Sequence, residues 1–211
     1  DNFDWTKLKQ INDNMGPKPT VLLAVIDDGV KTDHLDLAGK LVDGFSAHQN
    51  LLQSKGGVIN VPDQSHGPLV TGMAVAITNN GRDASSIGGI FSNVKVLPIS
   101  VYDPTGKTYQ TSSFVRAINH AISRGVVAIN LSWGGFSKSS LEIAFQSAYN
   151  AGIANFVSAG NGTQDLSVTP RYPASHPTTY AIGNVEKDMK NLLASSNWGN
   201  TKFVGNGSSV V

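Results

Sequence analysis

The stretch Val21-Leu22-Leu23-Ala24-Val25-Ile26-Asp27-Asp28-Gly29 constrains the fold more than any other. Six apolar residues run unbroken and stop at two carboxylates and a glycine. A short apolar run without polar alternation suits a strand buried on both faces, as in a parallel α/β sheet. In open sheets of that kind, ligands and chemistry gather beyond the carboxyl ends of the strands. Asp27 and Asp28 are therefore expected at the mouth of a site. Asp-Gly is equally an ordinary turn dipeptide, so this stretch alone leaves both readings open.

Further runs follow the same pattern. Phe3 to Asn14 reads as a short helix or turn with Trp5, Leu8 and Ile11 on one side, broken by Gly16-Pro17-Lys18-Pro19. Thr32 to Leu37 is a polar loop, with a short segment around Lys40 to Phe45 after it. Residues 46–65 lack periodicity and are expected to form a surface excursion. His66 opens a small-residue segment, Val70 to Ile77, expected as a buried helix ending near Asn79-Asn80-Gly81. Val94 to Val101 is a second strand, where Pro98 suggests a bulge or an edge. Thr111 to Arg124 places Phe114, Ala117, Ile118, Ala121 and Ile122 on one helical face, with Gly125 as the stop. Val126 to Leu131, Ile153 to Ser158 and Tyr180 to Val185 are further strands. Between the first two lies a helix carrying Leu141, Phe145 and Ala148, which Ser139 and Glu142 are expected to open as a capping box. This alternation predicts one three-layer α/β domain over residues 1–211: a mostly parallel central sheet with helices on both faces, joined by right-handed crossovers.

Composition narrows the function classes. The 211 residues suffice for a sizeable core, and 40% hydrophobic with 15% charged residues fits a globular chain. A net charge of +1 without charge blocks gives no support to a nucleic-acid or membrane-surface role. There is no cysteine, hence no disulfide and no thiolate metal site. No apolar run reaches membrane-spanning length. No signal-peptide pattern opens the chain at Asp1, and any targeting or pro-segment is expected outside it.

Two more stretches bear on chemistry. His66, followed by Gly67 and the helix, suits a base held by packing, or a surface histidine in a loop. Ser158-Ala159-Gly160-Asn161-Gly162 closes a strand with an asparagine between glycines. An amide there can donate into a cleft, and Asn-Gly is also a plain turn.

Together the three stretches resemble the subtilisin-like serine proteases, whose functional residues run in the order Asp, His, oxyanion Asn, Ser. The family's Asp-Ser/Thr-Gly appears as Asp27-Asp28-Gly29, its His-Gly-Thr-x-Val-Ala-Gly as His66-Gly67-Pro68-Leu69-Val70-Thr71-Gly72, and its Ala-Gly-Asn as Ala159-Gly160-Asn161. His34-Leu35-Asp36-Leu37, Ser132-Trp133-Gly134-Gly135, Tyr172-Pro173-Ala174-Ser175 and Ser196-Asn197-Trp198-Gly199 are similar to family landmarks in the right order. The resemblance covers nearly the whole chain.

What it implies is a serine endopeptidase acting through an acyl-enzyme, with Asp27, His66 and Asn161 catalytic. Ser132, Trp133, Gly134, Gly135, Ala159 and Gly160 would line the substrate cleft, and an extended polypeptide would lie against Val101–Tyr102 and Ser132–Gly134. Gly134, Gly135 and Gly160 would leave room for a large apolar or aromatic side chain. No cofactor is implied for catalysis. Family members often bind structural calcium, for which Asp36, Asn79, Asn80 and Asp83 are the oxygen donors at hand, at spacings that match no definite site. A polypeptide substrate, a pro-segment or inhibitor as partner, a monomer and secretion complete the expectation.

The departures are specific. Asp28 replaces a small hydroxyl residue, and would either raise the basicity of the histidine or compete for it. Pro68 and Thr71 alter the histidine motif. The nucleophile motif Gly-Thr-Ser-Met-Ala-x-Pro does not occur in the 211 residues, and Gly205 to Val210 best matches the segment that comes before it. Ser209 is the one local echo. The domain is therefore expected to be incomplete at its C-terminus, with the serine beyond residue 211. The alternative is a catalytically inactive, subtilase-like binding or scaffold protein. A nucleotide-binding α/β protein is disfavoured because no phosphate-cradling glycine loop follows the first strand.

Overall fold

The structure is a computed structural model that describes residues 5–61, 64–82, 84–138, 140–186, 190–199 and 203–205. In chain order its elements are α1 (Trp5–Asn14), β1 (Val21–Asp27), β2 (Phe45–Ser46), β3 (Leu51–Leu52), α2 (His66–Val75), α3 (Ile87–Ile90), β4 (Val94–Ser100), β5 (Tyr102–Asp103) and β6 (Thr108–Tyr109). Then come α4 (Thr111–Ser123), β7 (Ala128–Leu131), α5 (Glu142–Asn150), β8 (Ala154–Ser158), β9 (Thr179–Asn184) and β10 (Phe203–Gly205).

One eight-stranded sheet runs in the order β10-β9-β8-β7-β1-β4-β2-β3. Every pair is parallel except β2 with β3. The apolar run opened by Val21 becomes a central strand, flanked by β4 and β7 along its length. Its alternate residues face two different cores, which is why it carries no polar alternation. Ala24 and Ile26 join Phe114, Ile118, Ile129 and Phe145 under α4 and α5. Val25 joins Val75, Val96 and Ile59 under α2. Burying two such faces is the main stabilising term, at about 25 cal/mol per Å² of apolar surface.

On the α2 side the cover is uneven. The row Val25–Asn130–Phe156–Tyr180 crosses four strands in register. Val25 is buried, whereas Asn130, Phe156 and Tyr180 are half-exposed. The Phe156 and Tyr180 rings lie 5.5 Å apart on this surface.

Several sequence expectations are corrected. The helix after His66 ends at Val75, so Ala76 and Ile77 lie beyond it, and Leu69 and Met73 are exposed rather than buried. Residues 46–65 are no mere surface excursion. Ala47, Ile59 and Val61 are buried, and Ile59 O accepts from Val30 N at 2.8 Å, fastening the segment behind β1. Pro98 sits in an interior strand. Val96 N donates to Lys40 O and Val101 N to Asp27 O. Amides alternate sides along a strand, so the amide that Pro98 lacks would face residues 42–44, which leave the ladder between the Leu41–Val96 bridge and the Phe45–Ile99 pair. The proposed capping residue Ser139 lies outside the described residues, and α5 has Leu141 at its N-cap position without a side-chain bond. The hairpin β5–β6 and the edge strand β10 carry too few residues for periodicity to reveal them.

Candidate active site

Parallel pairing puts the carboxyl ends of β1, β4, β7 and β8 on one edge of the sheet. Asp27 is the last residue of β1 and is almost fully buried. His66 is the first residue of α2, which packs on β1. The structure brings the two together: His66 Nδ1 lies 2.8 Å from Asp27 Oδ1. A carboxylate only accepts, so Nδ1 carries the proton and Nε2 is left as a lone-pair base. Asp27 Oδ1 also accepts from Asp28 N at 2.8 Å, which fixes the carboxylate plane. The His66–Asp27 bond holds the His66 imidazolium above its ordinary pKa, and burial opposes it.

Of the two parts considered in the sequence, Asp28 takes the first, since its charge helps to raise the His66 pKa, and it adds a third. Its Oδ1 accepts from Gly67 N at 2.7 Å, so it does not compete for the imidazole. The first amides of a helix have no partner within the helix, and Ser65 makes no side-chain cap. Asp28 supplies that acceptor from β1 and so ties the helix start to the strand end. Its backbone carbonyl is held in turn by Ser100 Oγ at 3.0 Å, from the end of β4. Burial pushes the Asp28 carboxyl above its usual range despite the Gly67 bond.

Asp28→Asn separates these effects, because the amide oxygen still accepts from Gly67. The Asp28 charge contributes to the raised His66 pKa, so His66 titrates lower in the variant by NMR. The stability effect has a definite sign. A carboxyl whose pKa is higher folded than unfolded loses stability as pH rises from its ordinary value of 3.8 through the raised one. Wild type therefore loses stability across that window relative to Asp28→Asn, seen as a drift of denaturant midpoints. Parallel pH curves for the two proteins would refute this.

The end of β7 forms the neighbouring wall. The Trp133 ring meets His66 edge-on, with centroids 6.4 Å apart. Behind it stand Tyr109, 4.3 Å away, and Phe114, 5.9 Å away. Tyr109 donates to Gln64 Oε1 at 3.2 Å, and burial with the nearby Asp28 charge pushes its phenol up to about 12. Tyr109 escaped the sequence reading because nothing in Thr108-Tyr109 distinguishes it from a loop aromatic. Ser132 accepts from Asn130 Nδ2 at 3.1 Å, and Gly134 and Gly135 are exposed, with open space at the Cβ position of Gly135 and only Tyr172 O, at 4.0 Å, near that of Gly134.

Asn161 follows β8 on the same sheet edge, in an exposed turn. Ala159 is buried before it. Gly160 differs from the other two cleft glycines. Its φ of +95° is close to the +90° of Gly135, but a Cβ here would stand 2.7 Å from Asn197 Nδ2. Packing on Asn197, rather than room for substrate, requires a glycine there.

Of the oxygen donors suggested for calcium, Asp36 is already engaged. Asp36 Oδ1 already accepts from Asn80 Nδ2 at 2.7 Å, with Arg82 Nε at 3.9 Å. A metal at that oxygen would displace an amide and sit beside a guanidinium. Asp83 lies outside the described residues. Among the described residues no three His, Cys, Asp or Glu side chains cluster as a metal site, and no helix is long and apolar enough to cross a membrane.

Known proteins share sequence and fold with this chain. Thermitase of Thermoactinomyces vulgaris is 30% identical over 167 residues, 79% of this chain and 55% of thermitase. A thermophilic serine proteinase of Bacillus sp. (strain AK1) is 34% identical over 178 residues, covering 84% of this chain and 41% of that protein. The chain thus spans about half the length of these relatives, or less. A solved protease structure from Pseudoalteromonas arctica superposes with a TM-score of 0.76 at 23% identity, over 90% of this chain and 63% of that one. At that identity the likeness speaks for the fold. The subtilase family matches residues 18–208, which leaves little of the sequence outside it, and the chain belongs to that family.

Proposed function

We propose that this chain carries the base, its orienting carboxylate and the oxyanion donor of a secreted serine endopeptidase whose nucleophile lies beyond residue 211. The observation that supports it most is the 2.8 Å contact of His66 Nδ1 with the buried Asp27 carboxylate, which leaves Nε2 free at the sheet edge where Asn161 also emerges. His66 Nε2 takes the serine proton as the serine oxygen bonds to the scissile carbonyl carbon. The Asn161 side-chain amide donates to the oxygen that gains charge. His66 then returns the proton to the leaving amine, and water resolves the acyl-enzyme by the same steps. Asp27 keeps the Nδ1–H tautomer and stabilises the imidazolium without taking its proton. The polypeptide lies extended against residues 101–102 and 132–134, adding a strand.

The test uses the complete gene product and a fluorogenic peptide library. Cleavage is expected after large apolar or aromatic residues, since no acidic residue occurs in residues 132–135 or 158–162 to attract Lys or Arg. His66→Ala should lower kcat by about 10⁴–10⁶-fold. Asn161→Ala should lower it by about 10²–10³-fold, with KM nearly unchanged. A complete product that binds peptides in the cleft without cleaving them would instead establish the inactive binding protein.

A further inference from the structure

We propose that Asn197 is a positioning residue, whose side chain fixes the turn that aims Asn161. This rests on the reading of Asn161 as the oxyanion donor. The turn after β8 has no regular hydrogen-bond ladder of its own, and a side-chain amide on an exposed turn is useful to a transition state only if held in place. Thr163 is tied by its N and Oγ1 to Ser195 O and Ala194 O, and Gly160 N to Ser158 Oγ, while Asn197 holds the residues on either side of Asn161. Asn197 itself is 3% exposed. Oδ1 accepts from Gly162 N at 3.0 Å and from Gln164 N at 2.9 Å, and Nδ2 donates to Ala159 O at 2.8 Å. Its own backbone N donates to Gly160 O at 2.9 Å. These bonds bracket Asn161 on both sides.

The orientation of the amide is forced. Two N–H donors need an oxygen, and one carbonyl needs the NH₂ group, so a flipped amide would lose all three side-chain bonds. No aliphatic residue can replace it, and the absence of a Cβ at Gly160 is what lets it approach. Asn197 is itself anchored to the sheet. Ser196 Oγ accepts from Asn184 N, the last residue of β9, at 2.9 Å and donates to Asn197 O at 2.9 Å. A rigid path therefore runs from the end of β9 through Ser196 and Asn197 to the turn beyond β8. All the polar atoms of the Asn197 side chain are spent on backbone, so it acts on the reaction only through Asn161.

The experiment compares Asn197→Ala, Asn161→Ala and the double variant in the complete gene product, with active sites counted by burst titration. Asn197→Ala should lower kcat per active site by about 10–100-fold, with KM within about twofold. On the Asn161→Ala background it should change kcat hardly at all, because the donor it positions is gone. A merely structural residue would lower the number of active sites and leave kcat per site unchanged. That outcome, or an equal loss of kcat on both backgrounds, overturns the inference. Amide hydrogen exchange gives a readout independent of turnover. Asn197→Ala should speed exchange at Gly162 and Gln164 and leave Gly67 unchanged. If the wild-type complete product is inactive, the protease reading fails. Exchange then decides the positioning role alone, and unchanged rates at Gly162 and Gln164 in Asn197→Ala would overturn it.

Discussion

A protein made of residues 1–211 alone is expected to cleave no peptide bond by a route that depends on His66, and to take no label from a serine-directed phosphonylating reagent. Asp27 holds the His66 imidazole with a raised pKa, but in the proposed mechanism that imidazole has nothing to activate without a positioned hydroxyl. Gly207-Ser208-Ser209-Val210-Val211 shares only the glycine and second serine of the family's nucleophile motif. Ser209 lies outside the described residues, and the two residues after it are too few to form the helix that fixes a nucleophile. Loss of the nucleophile costs a triad enzyme about 10⁶-fold in kcat, leaving slow attack by water at most. The half-exposed Phe156 and Tyr180 face adds a second expectation, that this protein binds an environment-sensitive hydrophobic dye while folded. Intact-mass analysis after phosphonylation, with a peptide assay alongside, checks both chemical claims. Stoichiometric labelling of Ser209 that disappears in His66→Ala would make residues 1–211 a minimal active protease.

Gly67→Ala is expected to unseat α2 from the end of β1. A methyl group on Gly67 would fall inside van der Waals contact of the Gly29 carbonyl oxygen and 2.6 Å from Asp28 Oδ1. Neither can step aside. Asp28 Oδ1 is bound to the Gly67 amide itself, and the chain just after Gly29 is fastened by the Val30–Ile59 bond. The helix start must retreat, at a cost of about 1–3 kcal/mol for overpacking a buried site. His66 rides on the same turn, so its bond to Asp27 stretches. That bond is the largest cause of the raised His66 pKa, and the variant should titrate lower. Gly72→Ala is the control within the same helix, because nothing lies within 4 Å of its Cβ position. It should be neutral or stabilise by up to about 1 kcal/mol. Equal denaturant midpoints and equal His66 titrations for Gly67→Ala and wild type would contradict this account.

What the sequence made legible was whatever period and punctuation express locally. The unbroken run from Val21 to Ile26 marked a strand buried on both faces, and α4 showed itself through Phe114, Ala117, Ile118 and Ala121 on one stripe with Gly125 as the stop. The short elements were silent, because two residues in β5 or β6 carry no period. Exposure of Leu69 and Met73 could not be read from α2, whose small residues are apolar all round and give no direction. At the site, residue types named Asp27, His66 and Asn161 as candidates, but partnerships formed across long separations left no local mark. Asp28 caps a helix 39 positions on, and Asn197 grips a turn 33 to 38 positions back. Each is an ordinary polar residue in its own neighbourhood.

The place of β1 in the sheet also sets an order of events. It is made before both of its partners, β4, whose pairing ends at Ser100, and β7, whose pairing ends at Asn130. Neither edge of the most apolar strand is fully paired until synthesis has passed Asn130. Pairings so distant in sequence are slow to form, and unpaired apolar edges attract other chains meanwhile. The nascent protein thus needs shelter for the strand on which everything else depends.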